Sequence, residues 1–268
     1  VKQGLYKAES GANVPALWFS NVNGKFVVMN STIRHFQDDC FYIEGGKSII
    51  ANNRFYSSGL SGGESINYKS GTHADIAFNL FYSPNTNALK LSNSGDRSPQ
   101  AHIIAYNNTI LNAGWRRPDI KGGSVWLEAS VHANIHNNLI ANSRFGVKKD
   151  LKKLHDDRST VDNTLYYGYT QQGVDQFQPA SDIVSGANDI TSAAVGANDP
   201  KFVNYPMSTS GANADFNTSW DFHLKSDSPA LNKGKTNFTR HFASGLTLNG
   251  VNYVSPAPAN YIGAFGVK

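Results

Sequence analysis

The 268-residue sequence has a single cysteine, Cys40, which excludes an internal disulfide framework and any cysteine-rich zinc or iron–sulfur site. Charge is scarce as well. Asp, Glu, Lys and Arg make up 16% of the chain, against roughly 25% in an average globular protein. No stretch approaches the ~18 consecutive apolar residues of a membrane-spanning helix. A Gly-rich phosphate loop ending in Lys is missing, which removes the usual nucleotide-binding signature. The first residues carry no basic stretch followed by an apolar run, so export is not legible in them.

Other features are abundant. Hydrophobic residues at 40% and aromatics at 12% exclude a disordered chain, a coiled coil and a collagen-like repeat. The net charge of +4, from 24 basic and 20 acidic residues, is compatible with an acidic ligand such as a polyanionic glycan. Nucleic acid fits less well, because no recognition motif or single long basic stripe is present.

A short signal recurs: Asn or Ser, any residue, then a large apolar residue. It appears at Ser31-Thr32-Ile33, Asn53-Arg54-Phe55, Asn79-Leu80-Phe81, Asn108-Thr109-Ile110, Asn138-Leu139-Ile140 and Asn163-Thr164-Leu165. The spacing is roughly 20–30 residues, and short β-branched or aromatic segments precede each copy. Short strands, Asn-rich bends and this period predict an all-β chain folded as one parallel β-helix. We expect eight to ten rungs, regular over about 14–166, with irregular final rungs and a cap over about 167–268. The general rule for parallel crossovers makes it right-handed. Asn52-Asn53, Asn107-Asn108 and Asn137-Asn138 are expected to be structural, since Asn tolerates left-handed backbone and its amide can bond to the copies above and below.

A second strand follows each Asn signal. Alternation places Phe41, Ile66, Leu89, Val125 and Phe145 inward in one column and Ile43, Tyr68, Leu91, Leu127 and Val147 in another. The outward columns are then Tyr42, Asn67, Lys90, Trp126, Gly146 and Glu44, Lys69, Ser92, Glu128, Lys148. Loops at 57–63, 93–100 and 113–123 read either as walls of a groove over this face or as tolerated surface insertions. Lys69, near Lys90, reads as a general base whose ammonium pKa is lowered by a second cation, or else as a solvated lysine paired with Glu44. Asp39, Glu64 and Asn87 form a column that could hold a hard cation such as Ca²⁺, or else are turn residues bonded to backbone. Trp115, Trp126 and Tyr42 suit sugar rings, and Arg116 and Arg117 suit carboxylate or sulfate. Tyr42, Glu44, Asn67, Trp115, Arg116, Arg117, Trp126 and Glu128 are therefore the substrate-binding candidates, with Lys69 and Lys90 as the catalytic pair. His132 and His136 are weak as a metal pair. Asp38-Asp39 fails as a glycosidase pair because adjacent strand residues face opposite ways.

These signals resemble right-handed parallel β-helix proteins of the pectin-lyase type. The tail Asp199-Pro200-Lys201-Phe202, Asp221-Phe222-His223-Leu224, Ser228-Pro229-Ala230-Leu231 and Ile262-Gly263-Ala264-Phe265 is similar to the ends of many secreted bacterial β-helix proteins. Over about 30 residues, Glu64 through Lys69-Ser70 and on to Leu89-Lys90-Leu91 resembles the alginate lyase and chondroitinase-B family. That resemblance implies Lys69 as the base, Glu64 on Ca²⁺, and Lys90 where the family has an arginine. Tyr68 replaces the family's Asn, and Gly62 stands where its second Ca²⁺-binding Glu would fall. The implied protein is a secreted, periplasmic or cell-surface polysaccharide lyase acting on an acidic glycan by β-elimination. The alternative is a non-catalytic glycan-binding β-helix.

Overall fold

A computed structural model describes residues 15–36, 38–56, 63–117 and 122–268. The chain winds into a parallel β-helix built from three six-stranded parallel sheets. The first sheet stacks Leu17–Ser20, Phe41–Glu44, Ile66–Tyr68, Leu89–Ser92, Val125–Glu128 and Val147–Lys149. The second stacks Lys25–Met29, Gly46–Ala51, Thr72–Ala77, His102–Tyr106, His132–His136 and Thr160–Asp162. The third stacks Thr32–Arg34, Arg54–Tyr56, Leu80–Tyr82, Thr109–Leu111, Leu139–Ala141 and Leu165–Tyr167. Six strands per sheet are fewer than the eight to ten rungs expected, because the residues after Tyr167 add no strand to any of the three stacks.

Each recurring Asn signal opens a third-sheet strand. The residue before it turns the corner in left-handed backbone: Asn30, Asn52, Asn107 and Asn137 have φ between 49° and 58°, and in the last copy Asn163 itself takes this place at φ 54°, with Thr164 in the buried position. Asn carries this conformation at low cost. Phe78 holds the same position at φ 55°. The Asn that follows is buried and bonded along the axis, from Asn53 through Asn79 and Asn108 to Asn138. These asparagines are structural, as the sequence suggests.

Inside, the first-sheet columns pack as expected from Phe41 through Val125 and from Ile43 through Leu127. The last rung is a correction. Val147 pairs with Val125, not Leu127, and Lys148 stands beside Trp126. The strand is slipped by two residues from the expected register, which keeps every side chain on its original face. Phe145 and Gly146 thus precede the strand. Phe55 and Phe81 stack in the core at 4.9 Å between ring centroids.

The C-terminal third does more than cap the end. Ile183 bridges to Lys148 and Ile190 to Leu165, so part of it does meet the last rung. Beyond that, Phe202, Tyr205, Phe222, Leu224 and Ile262 bury the outer face of the third sheet against Leu80, Leu111, Leu139 and Leu165. Phe242 and Leu246 bury the outer face of the second sheet against Ile49, Ile104 and Tyr106. Two of the three outer faces therefore lie beneath apolar cover, and the first sheet's outer face carries no comparable cluster among the described residues.

Candidate functional site

Pairing aligns outward residues on the first sheet as Trp18, Tyr42, Asn67, Lys90, Trp126 and Lys148. Trp18, which the repeat signal did not reach, opens this column and is 67% exposed. Its ring meets Tyr42 edge-on at 6.1 Å. Over the upper rungs lies an open cavity of about 700 Å³ whose lining includes Glu64, Asn87, Lys90, Arg117, Trp126, Glu128 and Lys148. Seven of the positions singled out from the sequence thus converge with Lys69 and Tyr42 on one face, and Lys69 lies beside the cavity on the rung of Glu64.

Lys69 is half-buried. Its Nζ donates to Ser94 Oγ at 3.1 Å and sits 5.6 Å from the centre of the Tyr42 ring. Burial, and then the charge of Lys90, lower its ammonium pKa below the ordinary lysine value, against the opposing pull of Glu128, Glu64 and Asp39. The alternative pairing of Lys69 with Glu44 does not form. Glu44 faces Arg97 at 3.5 Å and accepts from Ser20. Lys90 Nζ lies 3.5 Å from Glu128 Oε2, and Lys153 closes on the other oxygen. Burial alone would raise the Glu128 carboxyl, but the bond from Lys153 and the charges of Lys90, Lys153 and Lys69 bring it below its ordinary value.

Asp39, Glu64 and Asn87 do stand on successive rungs, as a hydrogen-bonded column. Asp39 Oδ1 accepts the Glu64 backbone N–H at 2.8 Å, and Asp39 Oδ2 accepts the Asn67 amide at 2.8 Å. Asn87 Oδ1 accepts from the Gly123 backbone at 3.0 Å, while its amide reaches Glu64 Oε1 at 3.4 Å. Ca²⁺ takes six to eight oxygen ligands, and among the described residues no group of three or more His, Cys, Asp or Glu side chains is arranged to hold a metal. Four oxygens of this column, both of Asp39, Oε1 of Glu64 and Oδ1 of Asn87, already accept hydrogen bonds from neighbouring rungs. Burial pushes the Glu64 carboxyl well above its ordinary value, and its hydrogen bond with Asp39 and that residue's charge add to the effect. The groove therefore holds an amine shifted toward its neutral form near a carboxyl shifted toward its neutral form. This opposition marks acid–base sites more often than plain surface.

Two predicted binding residues lie elsewhere. The Trp115 indole N–H donates to the Asn142 carbonyl, and its ring packs against Gly211 in a separate cavity of about 220 Å³. Arg116 donates to Ser83 Oγ at 3.1 Å and to the Ser83 carbonyl at 2.7 Å, which anchors the loop. Arg117 stays with the groove, its carbonyl fixed by Arg144. Residues 57–62 and 118–121, from two of the three proposed wall loops, lie outside the described residues.

Sequence reasoning missed Ser94 and Arg97, which reach back to Lys69 and Glu44. It also missed a histidine cluster on the second sheet. His73, His102 and His132 occupy one column, each six residues before a ladder asparagine. That constant offset was the available signal.

The fold and groove define a parallel β-helix with one open, charged, partly aromatic face. Comparison of the chain with protein-family models, with curated proteins and with solved structures finds no match in any of the three.

Proposed function

We propose that the protein is a polysaccharide lyase of the β-elimination type, acting on a uronate-containing glycan laid across the first sheet. The observation that carries this reading is the half-buried Lys69, with its lowered ammonium pKa, beside Lys90 on the open face. In β-elimination the proton α to the uronate carboxyl passes to a base, the glycosidic oxygen on the β carbon departs, and a C=C bond forms. Lys69 takes the proton, since a lysine base must be neutral before it acts. Lys90 and Arg117 meet the uronate carboxylate and the negative charge that develops on it. Glu64, kept neutral, supplies a proton to the departing oxygen. Trp126 offers an apolar ring to a sugar face. No step passes through a metal ion.

The test is incubation with alginate, pectin, chondroitin and dermatan, followed by the ultraviolet absorbance of the new C=C bond. A rise that disappears in Lys69→Ala is the expected result. The ion pair between Lys90 and Glu128 favours a second reading, a non-catalytic glycan-binding face, because it engages one of the two cations. Binding of the same polymers with no absorbance change would establish that reading instead.

A further inference from the structure

Four histidine rings meet where the C-terminal segment crosses the second sheet. His102 and His132 stack with centroids 3.9 Å apart and planes 2° from parallel. His241, from the C-terminal segment, stacks on His73 at 5.1 Å and meets His102 edge-on at 4.4 Å. Beside them Asp75, fully buried, accepts the backbone N–H of His241 at 3.1 Å, that of Phe242 at 2.9 Å, and the Ser255 hydroxyl at 2.5 Å. Asp75 is the latch that holds the segment, and the rings are packed beneath it.

The hydrogen bonds require a neutral ring at the centre. Thr160 donates its hydroxyl to Asn134 Oδ1 at 2.9 Å, which turns the Asn134 amide nitrogen toward His102 Nε2 at 3.2 Å. An amide nitrogen only donates, so His102 Nε2 must keep its lone pair. A proton placed there breaks this bond and sets a charge against three other imidazoles.

Two carboxylates offset part of the charge on the outer rings, Asp75 on His241 and Asp156 on His132, while Arg158 and the three other imidazoles act against a charge on His102. From the second sheet, Lys47 stands next to His73 in the same column, and Asp75 is committed to three hydrogen bonds. From the 156–158 turn, Asp156 faces His132 but is held by Arg158 and Gln100. From the C-terminal segment, Arg240 adds a further cation, bonded to the Ser255 carbonyl.

We propose that residues 238–256 form a strap that acid releases from the outer face of the second sheet, with His73, His102, His132 and His241 as the trigger and Asp75 as the latch. Burial first, then His241, His132 and His73, hold His102 down to about 3, against an ordinary value of about 6.5. A base with a depressed folded value binds fewer protons when strapped than when released. The strapped form is therefore favoured above about pH 6.5 and progressively loses ground as pH falls toward the depressed value. His73 and His132 stay beside His102 on the sheet when the strap leaves, so a hundredfold at pH 4.5 is the upper bound, reached only with a return to the ordinary value of about 6.5.

The test is hydrogen exchange of the full chain at pH 7.5 and 4.5, corrected for the intrinsic exchange rate and read by mass spectrometry. Peptides covering 238–256 are expected to lose protection at pH 4.5, by up to about a hundredfold, while peptides from the asparagine ladder keep theirs. His102→Gln, which removes the central titrating group, is expected to flatten that difference. His132→Gln serves the same purpose if the first variant does not fold. Unchanged protection of 238–256 at pH 4.5, simultaneous loss in strap and ladder, or an unaltered pH response in the folded variant would each overturn the proposal.

Discussion

Asn108 Oδ1 accepts both the backbone N–H and the side-chain amide of Asn79, each at 3.0 Å. Asn108 in turn donates to Asn138 Oδ1 at 2.9 Å and to the Ile76 carbonyl at 3.0 Å. The asparagine thus replaces backbone pairing at the corner of the helix, and it does so without access to water.

Asn108→Ala is expected to lower the unfolding free energy by about 2–3 kcal/mol, because it leaves buried donors and an acceptor unpaired. Urea denaturation should show a lower midpoint at an unchanged slope. A shift within error would show that the ladder is not load-sharing.

For the lyase proposal, the sign of the pH response follows from Lys69. Its lowered ammonium pKa means that the neutral base is populated at a lower pH than for an ordinary lysine. Turnover should therefore rise with pH and reach its plateau below about 10.4, the free-lysine value. Lys69→Ala should abolish turnover while leaving the melting temperature nearly unchanged. A flat pH–rate profile would remove lysine as the base.

Glu128→Gln removes the carboxylate that faces Lys90 at 3.5 Å. The freed Lys90 should bind polyanionic glycans more tightly, with a steeper loss of affinity on added salt. Because the Glu128 carboxyl is lowered on folding, it contributes stability above the unfolded value near 4.3, lost as pH falls through its lower folded value. The variant should lose that acid-side slope. Isothermal titration at several salt concentrations and acid-melting curves provide the two readouts.

The two tryptophans should separate cleanly. Trp126→Ala is expected to weaken glycan binding about tenfold, equivalent to ~1.4 kcal/mol, at unchanged stability. Trp115→Ala should lower the melting temperature without altering groove affinity, since its ring packs on Gly211 and beneath Arg144. Equal loss of binding in both variants would place Trp115 back in the groove.

Calcium provides a further discriminating measurement. With Asp39 and Asn87 engaged by neighbouring rungs, millimolar Ca²⁺ and excess EDTA should leave the melting temperature and any turnover unchanged. A stabilising shift on adding Ca²⁺ would show that the column opens to take a cation.

The repetitive part of the molecule was the legible part. Inward columns such as Ile43, Tyr68, Leu91 and Leu127 recur at matched positions after each Asn, so strand order and facing follow from alternation. The two-residue slip at Val147 was not legible, because Phe145 and Val147 are both apolar and have the same parity. Only the length of the preceding turn distinguishes them. Of the candidate site, Lys69, Lys90, Trp126 and Glu128 could be placed because they ride on strands. Trp115 and Arg116 sit in a loop whose course is set by contacts with Asn142, Gly211 and Ser83, and no periodic signal encodes those contacts. The strap is harder still to read, since its bonds to Asp75 join residues with no repeat between them.

The latch at Asp75 also has a consequence during synthesis. All three parallel stacks are complete once Tyr167 has been made, yet Asp75 receives its last partner only when Ser255 arrives, 180 positions downstream. A ribosome that has released the finished rungs still presents a bare carboxylate and the apolar patch of Ile49, Ala51 and Ile104. Until residues 238–256 have been made, the nascent helix carries an exposed flank on which other unfinished chains can adhere, and its yield should depend on how quickly that segment follows the rungs.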